Sequence, residues 1–140
     1  MGIKHSIEIS LFAQYNQANI TTILQKGMDL GLVYYDHVAA ENYEDSPVLN
    51  ASQAALKVAH ALKEKIEEGP AVFAKIEETY GFLFFYNENG QISFSFGTFG
   101  SPIKKDFKDG VYYIDLDHDI RMALDMCKDF AILKLETDSF

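Results

Sequence analysis

An α+β fold is predicted from three features of this sequence. Strand-like period-2 alternation occurs at both ends, helical apolar stripes lie between, and a dense aromatic run in the middle is folded about an Asn-Gly turn signal. Residues 3–12 open the chain with Ile3, His5, Ile7, Ile9 and Leu11 on one face and Lys4, Ser6, Glu8 and Ser10 on the other, the pattern of a half-buried strand. A helix over 17–29 follows, with Asn16 placed to cap it and Ile20, Ile23, Leu24 and Met28 at helical spacing. Gly27 and Gly31 weaken it and end it. Leu32 to Val38 reads as a second strand, and 39–50 as an aperiodic, acid-bearing loop.

The spacing over 51–68 predicts a second helix, with Ala55, Val58, Ala59, Leu62 and Ile66 as its stripe and Asn50 or Ser52 at its start. Gly69-Pro70 stops it, because proline cannot continue the hydrogen-bond ladder. Three strands are expected at 71–78, 80–87 and 91–99. The tetrapeptide Asn87-Glu88-Asn89-Gly90 between the last two suits a type I turn closed by a Gly90 bulge. That turn pairs Tyr86 with Ile92, Phe84 with Phe94 and Phe82 with Phe96, making one aromatic face, whereas a two-residue Asn89-Gly90 turn shifts the pairing by one position. The turn-rich segment 100–110, with Lys104, Lys105 and Lys108, is expected to project. A strand at 111–116, a helix at 120–127 and a strand at 131–137 close the chain.

The resulting order is βαβ, helix, three strands, βαβ. It points to a ferredoxin-like split-βαβ antiparallel sheet in a single domain over 1–140, with an extra helix at 51–68 and an inserted aromatic β-hairpin. Fold analogy of this kind carries no function.

Charge narrows the function classes. Twelve basic against twenty-one acidic side chains leave a formal charge of −9, and neither half is basic: residues 1–70 carry 5 against 9, residues 71–140 carry 7 against 12. Nucleic acid and anionic membranes are bound largely by neutralising phosphates with Lys and Arg, so neither is an expected partner. A cationic protein is favoured by the same field. One cysteine, Cys127, excludes an intrachain disulfide, and neither a signal-peptide pattern nor an apolar run of about 18 residues is present, so a cytoplasmic location is expected.

Two constellations are candidates for chemistry. Asp115, Asp117, His118 and Asp119 crowd a strand-to-helix junction, and carboxylates at i and i+2 beside an imidazole suit a hard divalent cation at Asp115, Asp117 and His118. Asp36 and His37 end the second strand and would complete an acid/base pocket if both strands finished at one edge. Against this, negative side chains at a helix start also serve as caps and complement its dipole. No zinc-type histidine spacing, phosphate loop or nucleophile elbow occurs, and no cofactor is expected.

Eight of the nineteen aromatic residues lie between Tyr80 and Phe99, more ring surface than one covered face of a sheet is expected to hide. The favoured expectation is therefore a small acidic protein-binding module, of the inhibitor or immunity type, contacting a basic partner. Phe82, Phe84, Tyr86, Phe94 and Phe96 would form the contact, and Glu41, Glu44 and Asp45 would steer the approach. A carboxylate-based or metal-assisted hydrolase at Asp115–Asp119 and a self-associating structural protein are the alternatives.

Overall fold

A computed structural model describes residues 5–35, 48–63, 71–76, 79–99, 103–105, 112–114 and 116–139, with side chains described for 6–35, 48–58, 83–97 and 119–137. The chain is α+β. Its elements are β1 (His5–Gln14), α1 (Gln17–Asp29), β2 (Val33–Tyr35), β3 (Val48–Leu49), α2 (Ala51–Lys63), β4 (Ala71–Ile76), β5 (Thr79–Glu88), β6 (Gln91–Phe99), β7 (Ile103–Lys105), β8 (Tyr112–Ile114), α3 (Leu116–Met126) and β9 (Ala131–Ser139).

Local chemistry sets the helix ends. The Asn16 side chain accepts from the Asn19 backbone N–H at 2.8 Å, capping α1. At the other end Gly31 takes φ +107°, its N–H donates to Met28 O, and the Leu32 N–H reaches back to Gly27 O at 2.9 Å, a Schellman closure that only a residue at ease with positive φ permits. Asn50 caps α2 reciprocally with Gln53: each side-chain oxygen accepts the other's backbone N–H, at 2.8 and 2.9 Å. The extent of this helix expected beyond Lys63, and its Gly69-Pro70 stop, lie outside the described residues.

Among the described residues seven strands form one sheet in the order β3-β2-β4-β5-β6-β1-β9, every neighbouring pair antiparallel, and β7 pairs with β8 in a separate two-stranded sheet. Alternation divides the large sheet into an inner and an outer face. Ile7, Ile9, Leu11, Leu83, Phe85, Ile92, Phe94 and Phe96 are buried on the inner face, in one cluster with Ile20, Ile23 and Leu24 of α1, Ala54, Ala55 and Val58 of α2, and Ala123 and Met126 of α3. A buried Tyr34 hydroxyl donates to Leu24 O at 2.6 Å and ties β2 to α1.

The strand order corrects the expected interleaving. β8 and β9 belong to different sheets, so the second βαβ unit does not form, and β1 and β2 are separated by β6, β5 and β4. A ferredoxin-like sheet sets a single strand between the two strands of each βαβ unit, whereas three lie between β1 and β2 here. Nor is the aromatic hairpin an insertion. β5 and β6 occupy the middle of the sheet because Ile92, Phe94 and Phe96 continue the apolar face that Ile7 and Ile9 begin on β1.

The hairpin turn is the second correction. Asn89 at φ 55° and Gly90 at φ 88° make a two-residue turn with both central residues left-handed, and the Gly90 N–H donates to Asn87 Oδ1 at 2.8 Å. Such a turn matches the right-handed twist of its flanking strands. Glu88 therefore opposes Gln91, Tyr86 opposes Ser93, Phe85 opposes Phe94 and Phe84 opposes Ser95. The shift sends Phe94 and Phe96, expected on the contact face, into the core at 0% and 1% exposure.

Candidate interaction site on the outer sheet face

Cross-strand register assembles two rows on the outer face. One runs Tyr86, Ser93, Ser10, Lys134 across β5, β6, β1 and β9; the next runs Phe84, Ser95, Glu8, Glu136. Aromatic rings on β5 thus form a ridge, with centroids 6.3 Å apart and planes 20° from parallel, beside a floor of serines that barely rise above the backbone. Carboxylates and one ammonium stand on the far side. Tyr86 is 39% exposed, Phe84 half-buried and Ser95 buried, so the face opens toward the hairpin tip.

Among the described residues, the charge beside these rows is negative. Glu8, Glu88 and Glu136 surround Lys134, three carboxylates to one ammonium. Lys134 Nζ lies 2.9 Å from Glu136 Oε1, and the Ser10 hydroxyl donates to Glu88 Oε2 at 3.4 Å. The Lys134 pKa is raised first by its hydrogen bond to Glu136, then by the charges of Glu136, Glu88 and Glu8. That of the Tyr86 hydroxyl is raised by partial burial and, secondarily, by Glu8.

Register irregularities on β1 open the surface beside these rows. The pairing of β1 with β6 shifts between Ser10 and Gln14, and its pairing with β9 shifts between Ser10 and Leu11, where Leu133 becomes the extra residue. A cleft of about 370 Å³ sits there, lined by Ser10, Leu11, Glu88, Asn89, Gln91, Ile92, Leu133 and Lys134. A second, of about 350 Å³, is lined by Phe12, Ala13, Gln14, Asn89, Gly90 and Gln91. Gln91 borders both, and among the described residues its buried Oε1 has no hydrogen-bond partner. An acceptor withdrawn from water without a donor is destabilising. Phe12, 66% exposed, stands at the rim.

Of the residues expected to bind, Phe84 and Tyr86 belong to this face. Phe82 pairs through its backbone with Phe73 and Gly97, its side chain outside those described. Glu41, Glu44 and Asp45 lie outside the described residues, as do Asp36, His37 and Asp115. Asp117, His118 and Asp119 fall in the first turn of α3, where negative charge complements the helix dipole; Asp119 is buried at 3% exposure. β2 and β8, the strands that precede Asp36-His37 and Asp115, belong to different sheets, and the pocket expected between those residues lies outside the described ones. Among the described residues no group of three or more His, Cys, Asp or Glu is placed to hold a metal ion, and no helix is long and apolar enough to cross a membrane.

Glu8, Ser10, Gln91, Ser93, Lys134 and Glu136 were not singled out by sequence pattern. Their outward alternation is readable on each strand, but their neighbourhood depends on β1 lying between β6 and β9, which no local signal encodes. No family model, no curated protein and no solved structure matches this chain.

Proposed function

We propose that this chain is a protein-binding module that receives a basic segment of a partner protein on the outer face of its sheet, in the manner of an inhibitor or immunity protein. The observation that carries the reading is the Phe84–Tyr86 ridge set beside Glu8 and Glu88, next to a cleft lined by Ser10, Glu88, Gln91 and Lys134. An arginine of the partner suits all three elements. Its planar guanidinium stacks on an aromatic ring, forks onto a carboxylate and has donors left for an amide oxygen. Each exposed contact is worth only about 0.5–1 kcal/mol, so several must act together, and the charge of −9 contributes mainly by steering the encounter. A cytoplasmic setting accords with Cys127, whose buried thiol has its pKa pushed up to about 12 and is a poor nucleophile.

The test is fluorescence anisotropy with a labelled oligo-arginine peptide against an oligo-glutamate control. The arginine peptide is expected to bind, at least about tenfold more weakly in about 300 mM than in about 20 mM salt. Tyr86→Ala and Glu8→Gln should each weaken it about three- to tenfold, while Asp29→Asn, an equal charge change on α1, should leave it nearly unchanged. Equal losses from Asp29→Asn and Glu8→Gln would show diffuse attraction without a site and overturn the reading.

A further inference from the structure

Strand β9 ends the seven-stranded sheet. Among the described residues no strand lies beyond it, and every residue from Ala131 to Thr137 is exposed, with Ile132 at 39%, Leu133 at 61% and Leu135 at 37%. A long exposed edge of this kind is a template for another strand. We infer that its occupant is a second copy of this chain, paired antiparallel through β9 about a two-fold axis beside Leu135.

The choice of occupant rests on self-complementarity. A two-fold normal to the sheet keeps each side chain on its own face, so the axis must pass beside a single residue. At Leu135, Lys134 opposes the partner's Glu136 and Glu136 opposes the partner's Lys134, giving two opposite-charge pairs on the outer face. Leu135 meets the partner's Leu135 on the inner face, and since Leu135 already pairs with Ile9, an apolar row runs from Ile9 through both leucines to the partner's Ile9. Neighbouring registers fail. Axes at Lys134 or Glu136 set like charges against themselves, one at Thr137 sets Glu136 against Asp138, and one at Leu133 straddles the irregularity in β9. The ladder then runs from Leu133 to Thr137. This inference does not depend on the outer-face binding reading, whose test uses Glu8 and Tyr86.

Charge swaps on the full chain test pairing between copies, and mixing the two single variants sets it apart from the Lys134–Glu136 bridge within one strand, since only the mixed dimer regains opposite charges across the axis while each strand keeps like charges. Light scattering behind size exclusion, from about 10 μM to about 1 mM, should show a concentration-dependent dimer. Lys134→Glu alone and Glu136→Lys alone turn both inter-copy contacts into like-charge pairs and should raise the dimer Kd at least about tenfold; the double swap should restore it. Far-UV circular dichroism reports whether each variant keeps its fold. Leu135→Cys should give a disulfide-linked dimer on mild oxidation, because residues directly opposite sit about 4.5–5.5 Å apart at Cα, within disulfide reach, and the native Cys127 is buried. Thr137→Cys, which faces the partner's Leu133, should not. A wild type monomeric throughout the range, a dimer indifferent to either single swap, or a double swap as dissociated as the singles would overturn the inference.

Discussion

Gly27 lies in the last turn of α1, where helix propensity alone says that alanine would stabilise the protein by about 0.8–1 kcal/mol. The packing reverses that sign. A β-carbon at this position would run into the Tyr34 hydroxyl oxygen, and would meet Met126 Cε at 2.8 Å and Leu32 Cδ1 at 2.9 Å. The last two are ends of flexible chains and can move. The hydroxyl cannot move freely, because its ring is fully buried and it donates to Leu24 O at 2.6 Å. Displacing it breaks a buried hydrogen bond and overpacks the helix–sheet junction, together about 2–4 kcal/mol, so the net effect of Gly27→Ala is a loss of about 1–3 kcal/mol. Tyr34→Phe deletes the obstructing oxygen and should itself lose about 1 kcal/mol. In that background Gly27→Ala should be close to neutral, a coupling of about 1–3 kcal/mol in a double-mutant cycle of urea unfolding midpoints. Additive losses, or a Gly27→Ala variant more stable than wild type, would refute the packing argument.

Other expectations follow from single features. Burial pushes the Tyr15 hydroxyl and the Cys127 thiol up to about 12, from ordinary values of 10.0 and 9.0, and raises Tyr34 further. Only the unfolded chain ionises these groups between about pH 9 and 12, so their stabilisation is fully present below about pH 9 and is lost as pH rises through that window. Urea midpoints should hold to pH 8 and fall above pH 9, and the onset should move toward pH 10 in Cys127→Ala. Gly90→Ala places a side chain at φ 88° with open space around it, so a loss of about 1–2 kcal/mol in thermal or urea unfolding would come from backbone strain alone. Asn50→Ala removes one half of the reciprocal cap on α2 and should lose about 1 kcal/mol by the same measurement.

What proved legible in the sequence was short-range. Asn16, Asn50 and Gly31 announce helix ends through interactions spanning at most five residues, and the alternation of Ile7, Ile9 and Leu11 identifies a strand face without reference to any partner. The turn was harder, because Asn87 and Gly90 suit both a bulged type I turn and a two-residue turn, and a one-residue difference exchanges the buried ring set. Strands β3 and β7, two and three residues long, fall within segments that read as loops, because no periodicity registers over such lengths. The neighbours of β1 come from β6 and β9, roughly 85 and 130 residues along the chain, so the ring-and-carboxylate face became visible only once register was known. The candidate acid clusters were readable as composition, but position within the fold, which decides between cap and catalyst, was not.

Amide chemical-shift mapping during titration with the oligo-arginine peptide tests the functional reading most directly. The largest changes are expected at Glu8, Ser10, Tyr86, Gln91 and Ser93, with α1 and α2 almost unmoved and the pattern fading as salt is raised. Changes scattered over every acidic surface, or concentrated on the helices, would contradict it.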